Sequence, residues 1–165
     1  MLLFSVAIAG AALAALGAQW QAQAQREREA ELLFRGLQIR AALQAWQAAT
    51  LPGQPGLPAR LEDLLEDPRV GSPGRRHWLR QHYTDPFTGA ADWVLLRTPD
   101  GGIRGLHSRS RMPALRQHGL PLTLVRSPSA DGSPAGTEAP YAVGDWHFEI
   151  EVRSPPRTAT PRRGT

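Results

Sequence analysis

The stretch QREREAELLFRGLQIRAALQAW, residues 25–46, decides the fold. Leu32, Gly36, Ile39, Leu43 and Trp46 recur at steps of four, three, four and three, which gathers them on one face of a helix. Leu33, Leu37 and Ala41 widen that face. Glu27 and Glu31 stand one turn apart, and Glu31 precedes Arg35 by four residues, the favourable order for an ion pair. From Gln19 onward Ala, Gln, Leu, Glu and Arg dominate, all good helix formers. No Pro occurs before Pro52. The pattern ends at Thr50-Leu51-Pro52-Gly53, because the residue before Pro avoids the helical region and Gly permits a turn.

Upstream lies MLLFSVAIAGAALAALGA, residues 1–18, and the first charged residue is Arg26. A helix over residues 1–49 is about 70 Å long at 1.5 Å per residue. That exceeds the width of any domain the other residues can form, so its first half is expected to project. The projecting half is uncharged and Ala-rich. It needs lipid or other helices around it, with Leu2, Leu3, Phe4 and Ile8 as its bulky contacts. Ala7, Gly10, Ala14 and Gly17 recur at three- and four-residue steps, which lets helix backbones approach closely.

The 165 residues suggest one domain with appendages. With no Cys, a disulfide framework and a thiolate metal site are both excluded. The formal charge of +4 raises nucleic-acid binding as a reading. All basic residues are Arg, and neither Lys nor Asn occurs. Both missing residues have A-rich codons, so GC-rich coding accounts for the bias, and the Arg residues are scattered from Arg26 to Arg163. No nucleic-acid partner is expected.

Beyond Pro52 the chain changes character. Residues 58–67 read as a short helix with Pro at its start and Leu61, Leu64 and Leu65 on its apolar side. Residues 70–74 read as a loop and 75–83 as one or two helical turns. Asp85-Pro86-Phe87-Thr88-Gly89 is a turn cluster. Residues 92–97 make a strand, Pro99-Asp100-Gly101-Gly102 a hairpin turn, and 103–107 the returning strand. A further strand is expected at 120–125 and a loose loop at 127–140. Residues 145–152 alternate, with Trp146, Phe148, Ile150 and Val152 on one face, and make the best strand. Residues 154–165 look like a tail without structure. The division expected is therefore an apolar helix at 1–25, an amphipathic half at 26–51, a globular α+β part at 52–153 and a tail. The long helix lies across a small antiparallel sheet of three to four strands, an α+β layout. Leu33, Leu37, Leu43, Trp46, Trp93, Trp146 and Phe148 are the expected core.

Catalytic patterns are not evident. His77, His82, His107, His118 and His147 show no metal spacing and read as surface or half-buried imidazoles. No nucleophile elbow, phosphate loop or dinucleotide fingerprint occurs. Glu62, Asp63, Glu66 and Asp67 read as a solvated face. Arg75-Arg76 and the two Arg residues between Ser108 and Met112 lack interleaved aromatic residues for stacking nucleotides, and read as exposed. No enzyme and no cofactor are expected. The Ala130-Asp-Gly-Ser turn offers oxygens of the kind calcium takes, but a single Asp makes a weak calcium argument.

In order along the chain, these features resemble the type IV pilin-like proteins, closest in style to the major pseudopilin of type II secretion. Residues 1–10, MLLFSVAIAG, match the family's apolar N-terminal segment almost step for step, with Met1 where the family has Glu. Residues 25–36 resemble its helix. Asp85, Pro86 and Gly89, then Gly101 and Gly102, then Ser108 are similar to its Asp-Pro turn, strand and Ser-bearing turn. The resemblance implies a subunit of a secretion filament, anchored by a single pass in the bacterial inner membrane with its globular part in the periplasm. It implies other pseudopilins, the inner-membrane secretion platform and membrane lipid as partners. The family's leader and processing site are not in the sequence, so Met1 is expected to be an internal start, assigned too far downstream, or the chain to have been trimmed. A minor type IV pilin shares the architecture. The rival reading is a secreted or periplasmic protein whose signal peptide, with an apolar region at 2–16, is cleaved at Ala22-Gln23-Ala24.

Overall fold

The computed structural model describes residues 2–69, 76–116, 120 and 142–152, with side chains in the first helix given for residue 17 and from residue 19 onward. The expected loop at 127–140 with its Asp131 turn, the strand residues 121–125, Arg75, His118 and the tail lie outside the described residues.

Helix α1 runs unbroken over Leu2–Ala48. Its end follows from the sequence. The Thr50 hydroxyl turns back to the Trp46 carbonyl at 3.0 Å, and Gly53 takes a positive φ of 86° that side chains avoid. The chain then crosses a short 3₁₀ turn, Glu62–Leu64, and reaches β1 (Val94–Arg97), β2 (Ile103–His107) and β3 (Phe148–Glu149). The three strands form an antiparallel sheet in the order β1-β2-β3. Hairpin β1-β2 turns through Gly101 at φ 86°, with the Thr98 N–H donating to the Gly102 carbonyl at 2.8 Å. The β1-β2 register slips between Leu96 and Arg97. Gly105 of β2 faces Glu149, where a Cβ would stand 2.7 Å from the Phe148 carbonyl oxygen. The close β2-β3 approach therefore needs Gly at that position.

The second half of α1 lies on this sheet. Leu32, Gly36, Ile39, Leu43 and Trp46 are all buried, as their spacing predicts. They meet Ile103, Leu106, Trp146, Phe148 and Ile150 in one core, joined by Leu33, Leu64, Leu79 and Trp93. Leu37 is half-buried. Ala41 is exposed and Ala42 takes its place. Ala41 lies nine residues from Leu32, about two and a half turns, and so points the opposite way.

Several expectations are corrected. Residues 58–67 form only the 3₁₀ turn, because Pro68 has no N–H to donate back to the Leu64 carbonyl, which accepts from distant N–H groups instead. Residues 76–83 hold no helix; the N–H groups of Trp78 and Leu79 both donate to the Leu64 carbonyl across the loop. The final strand spans two residues rather than eight. Trp146, Phe148 and Ile150 are buried, but so are His147 and Glu149, while Val152 is 38% exposed. One face of β3 meets α1 and the core, and the other is closed by His107 and Arg104 of β2. Asp67 is not on a solvated face. It is buried against Arg69 at 2.6 Å and also accepts from the Trp78 indole N–H at 3.1 Å. The Arg69 side-chain hydrogen bond is the main reason its pKa falls to about 2. Arg69 in turn stacks on the Trp46 ring, 3.9 Å from its centroid, which closes the C-terminal end of α1.

Candidate functional site

The side chains of α1 that touch the body are of two kinds. The apolar ones supply burial, and polar ones, Gln25, Glu29, Arg35 and Arg40 among the described residues, fix the position of the helix along the body. Gln25 donates from Nε2 to the Pro113 carbonyl at 2.7 Å. One turn on, Glu29 is only 1% exposed, and its two oxygens accept the N–H groups of Leu115 at 2.6 Å and Arg116 at 3.0 Å. Arg35 holds Glu31 at 2.7 Å, as the spacing predicts. Arg35 also donates from Nη1 to the Thr84 carbonyl and hydroxyl at 2.8 and 2.7 Å. Arg40 donates from Nε to the Glu149 carbonyl at 2.7 Å and so caps the open edge of β3.

Of these four, sequence reading identified Arg35 alone, and only through its pairing within the helix. Gln25 and Glu29 sit in a run of similar residues, whose types do not separate Glu27, Glu29 and Glu31. The available signal was that Glu29 lies three residues before Leu32 and seven before Gly36, on the apolar face. Glu29→Ala strips the carboxylate from two backbone N–H groups and is expected to cost about 2 kcal/mol. Hydrogen exchange at the Leu115 and Arg116 amides should accelerate before any other amide in the body. Unchanged exchange at both would show that Glu29 does not hold this segment.

Two of the turn motifs picked out in the sequence come together. Asp85 is fully buried; its Oδ2 accepts from the Ser108 hydroxyl at 2.6 Å and its Oδ1 from the Phe87 N–H at 2.8 Å. Its backbone closes the turn, exchanging bonds with Ala90 and Gly89. Gly89 there has φ 73°. Pro86 is half-buried within the turn. The Ser108 oxygen also accepts the Ser110 N–H at 3.0 Å, and Ser108 is 1% exposed. A hydroxyl so enclosed, with its proton committed to Asp85, is a tie between loop and sheet rather than an accessible nucleophile. Gly101 and Gly102 sit apart from it, in the β1-β2 turn.

The histidines include one arrangement absent from the sequence reading. His107 and His147 stack with ring centroids 4.6 Å apart and planes 15° from parallel. His147 is buried, not superficial, and its Nδ1 lies 3.3 Å from Glu149 Oε1. The other Glu149 oxygen lies 3.3 Å from Arg104, and His107 Nδ1 donates to the Ser108 carbonyl at 2.8 Å. Burial, then the neighbouring His107, lowers the His147 pKa below the usual 6.5, with Glu149 and Asp145 opposing. The folded state therefore favours neutral His147, so its contribution is full above pH 6.5 and declines as pH falls through 6.5 toward the lowered value. Stability should decline across that window in urea melts, before the Asp67 contribution begins to fail below about 4. His147→Phe should flatten the decline; an unchanged slope would remove His147 as its cause.

Among the described residues no group of three or more His, Asp and Glu is placed to hold a metal ion, and no helix is long and apolar enough to cross a membrane. Leu2, Leu3, Phe4, Ile8, Gly10 and Ala14 lie on the backbone of α1, and their side chains are outside the described residues. Gly17 is exposed, with open space where its Cβ would be. Trp20 is 74% exposed. Going toward the N-terminus, the last tie between α1 and the body among the described residues is thus Gln25.

What the architecture defines is an α+β protein whose single long helix is held to a small antiparallel sheet over its second half. Comparison with family models, with curated proteins and with solved structures finds no match.

Proposed function

We propose that this chain is a pilin-like subunit of a type II secretion pseudopilus, held in the bacterial inner membrane by the start of α1 and assembling through it into a filament. One observation carries the reading. Among the described residues, a continuous 47-residue helix is tied to its own body from Gln25 onward, and the sequence before that point is free of charge. Such a half-helix must satisfy its apolar surface elsewhere. Lipid does so before assembly and neighbouring helices afterward, the Gly and Ala steps at residues 7–17 favouring close approach. Other pseudopilins and the inner-membrane platform are then the partners, the globular part lies in the periplasm, and the role assigned is structural, without catalysis or cofactor. A minor type IV pilin is built the same way.

The signal-peptide reading has an observation of its own. Cleavage after Ala24 leaves a chain that begins at Gln25, where the helix first ties to the body. Mass spectrometry of the N-terminal peptide of the native protein separates the two. A mature start near residue 25 ends the filament reading; a retained apolar segment supports it. Gly10→Asp supplies the complementary test. A carboxylate at the centre of a membrane helix costs about 3 kcal/mol on insertion scales, and the variant should leave the membrane fraction. Unchanged fractionation would count directly against a membrane role for this segment.

A further inference from the structure

Where α1 leaves the body, the surface is both apolar and basic. Trp20, 74% exposed, lies five residues before Gln25, about 7–8 Å along the axis and about 140° round it. On the opposite flank, the segment tied down by Gln25 and Glu29 exposes Met112 at 42% and Leu115 at 46%. The helix is thus girdled at its exit by large apolar side chains facing solvent. Four exposed arginines lie further along, toward the body, Arg26 and Arg28 about 9 and 12 Å beyond Trp20 on the helix axis. Arg26 and Arg28 flank Gln25 and Glu29 on the helix, while Arg111 and Arg116 flank the docked segment. None of the four has a carboxylate partner among the described residues. The acids nearby are largely committed. Glu29 is buried on backbone N–H groups and Glu31 is paired with Arg35, which leaves exposed Glu27, bonded to Gln23 at 3.1 Å, and exposed Asp145, which lines a pocket with Arg111 and accepts the Ala142 N–H at 2.9 Å.

We propose that this collar docks on an anionic lipid surface, with the four arginines on phosphate headgroups, Met112 and Leu115 among the headgroups beside them, and Trp20, further toward the N-terminus, at the level where headgroup meets acyl chain. Trp belongs at that boundary because one end of the ring is apolar and the other is wet. A guanidinium pairs with phosphate through a planar fork of donors. An acidic protein groove would satisfy the charges, but it would give no reason for an exposed indole beside an uncharged helix. The inference rests on the membrane reading of residues 1–25 and adds to it a preference for anionic lipid and a fixed depth.

The test is partition of the full chain into vesicles of phosphatidylcholine alone and of phosphatidylcholine mixed with phosphatidylglycerol. Each arginine near an anionic surface adds about fivefold to binding, so partition should favour the anionic vesicles by well over tenfold at low salt. The R26Q/R28Q/R111Q/R116Q variant should lose that preference and keep its binding to neutral vesicles. The R60Q/R80Q variant, altered at exposed arginines on other loops, should keep the preference. Should the fourfold variant fail to fold, R26Q/R28Q alone should still lower the ratio by about an order of magnitude. Equal partition of the native chain into both vesicles, or equal losses in R60Q/R80Q, overturns the collar and leaves the membrane helix standing. Absence of binding to either vesicle overturns both. Depth is read independently from the emission lost in W20F. Lipids brominated near the headgroup should quench it; quenching by mid-chain bromine alone, or none, contradicts the proposed position.

Discussion

Trp146→Ala should lower the free energy of unfolding by about 3–5 kcal/mol. Trp146 is 2% exposed and sits in the same core as Leu43, Trp46 and Phe148. Among the described residues its buried indole N–H has no hydrogen-bond partner, a cost the native chain already bears. Truncation removes that cost together with the ring, so the loss should fall at the lower end of the range. Trp146→Phe should cost much less, because it keeps most of the apolar volume and deletes the unpartnered N–H. Denaturant melts of the two variants supply the check. A loss below about 1 kcal/mol in the Ala variant would remove Trp146 from the core.

Gly36→Val should be nearly as damaging, about 3 kcal/mol, and for the opposite reason. A Cβ at position 36 would stand 2.4 Å from the Phe148 ring, and Phe148 is fully buried. Neither side has room to yield, because α1 is fixed on both sides of Gly36 by Arg35 on Thr84 and Arg40 on Glu149. Intrinsic propensity alone predicts the reverse, since Gly is the poorer helix former by several tenths of a kcal/mol. A double-mutant cycle decides between them. Phe148→Leu destabilises by itself, yet Gly36→Val should cost far less in its presence. Additive losses would show that the two positions do not meet.

The contrast between these two positions shows what the chain's pattern carries. The four-three spacing from Leu32 to Trp46 depends only on helix geometry, so it named the buried face correctly, Gly36 included. It did not say what Gly36 meets. That depends on Phe148, 112 residues away, and on the sheet that holds the ring there. The turn at Gly101 was legible for a similar local reason: a positive φ is a property of the residue itself.

The polar ties were not legible. Glu29, Arg40 and the His107–His147 stack join positions distant in the chain, and their residue types suit solvent as readily as a buried bond. Asp85 and Ser108 were noticed one at a time, but only folding puts a 2.6 Å hydrogen bond between them. Residues 145–152 mark the same boundary. Alternation measures burial on one side of a strand, and here the second side is covered as well, by groups from β2. By itself the sequence determined the long helix, its buried face, its uncharged start and the hairpin, because each follows from spacing or from backbone freedom within a few residues. The tertiary structure alone decided the helix's seat on the sheet, the inward acid and the basic apolar collar at its exit, because each depends on groups that meet only when distant segments pack.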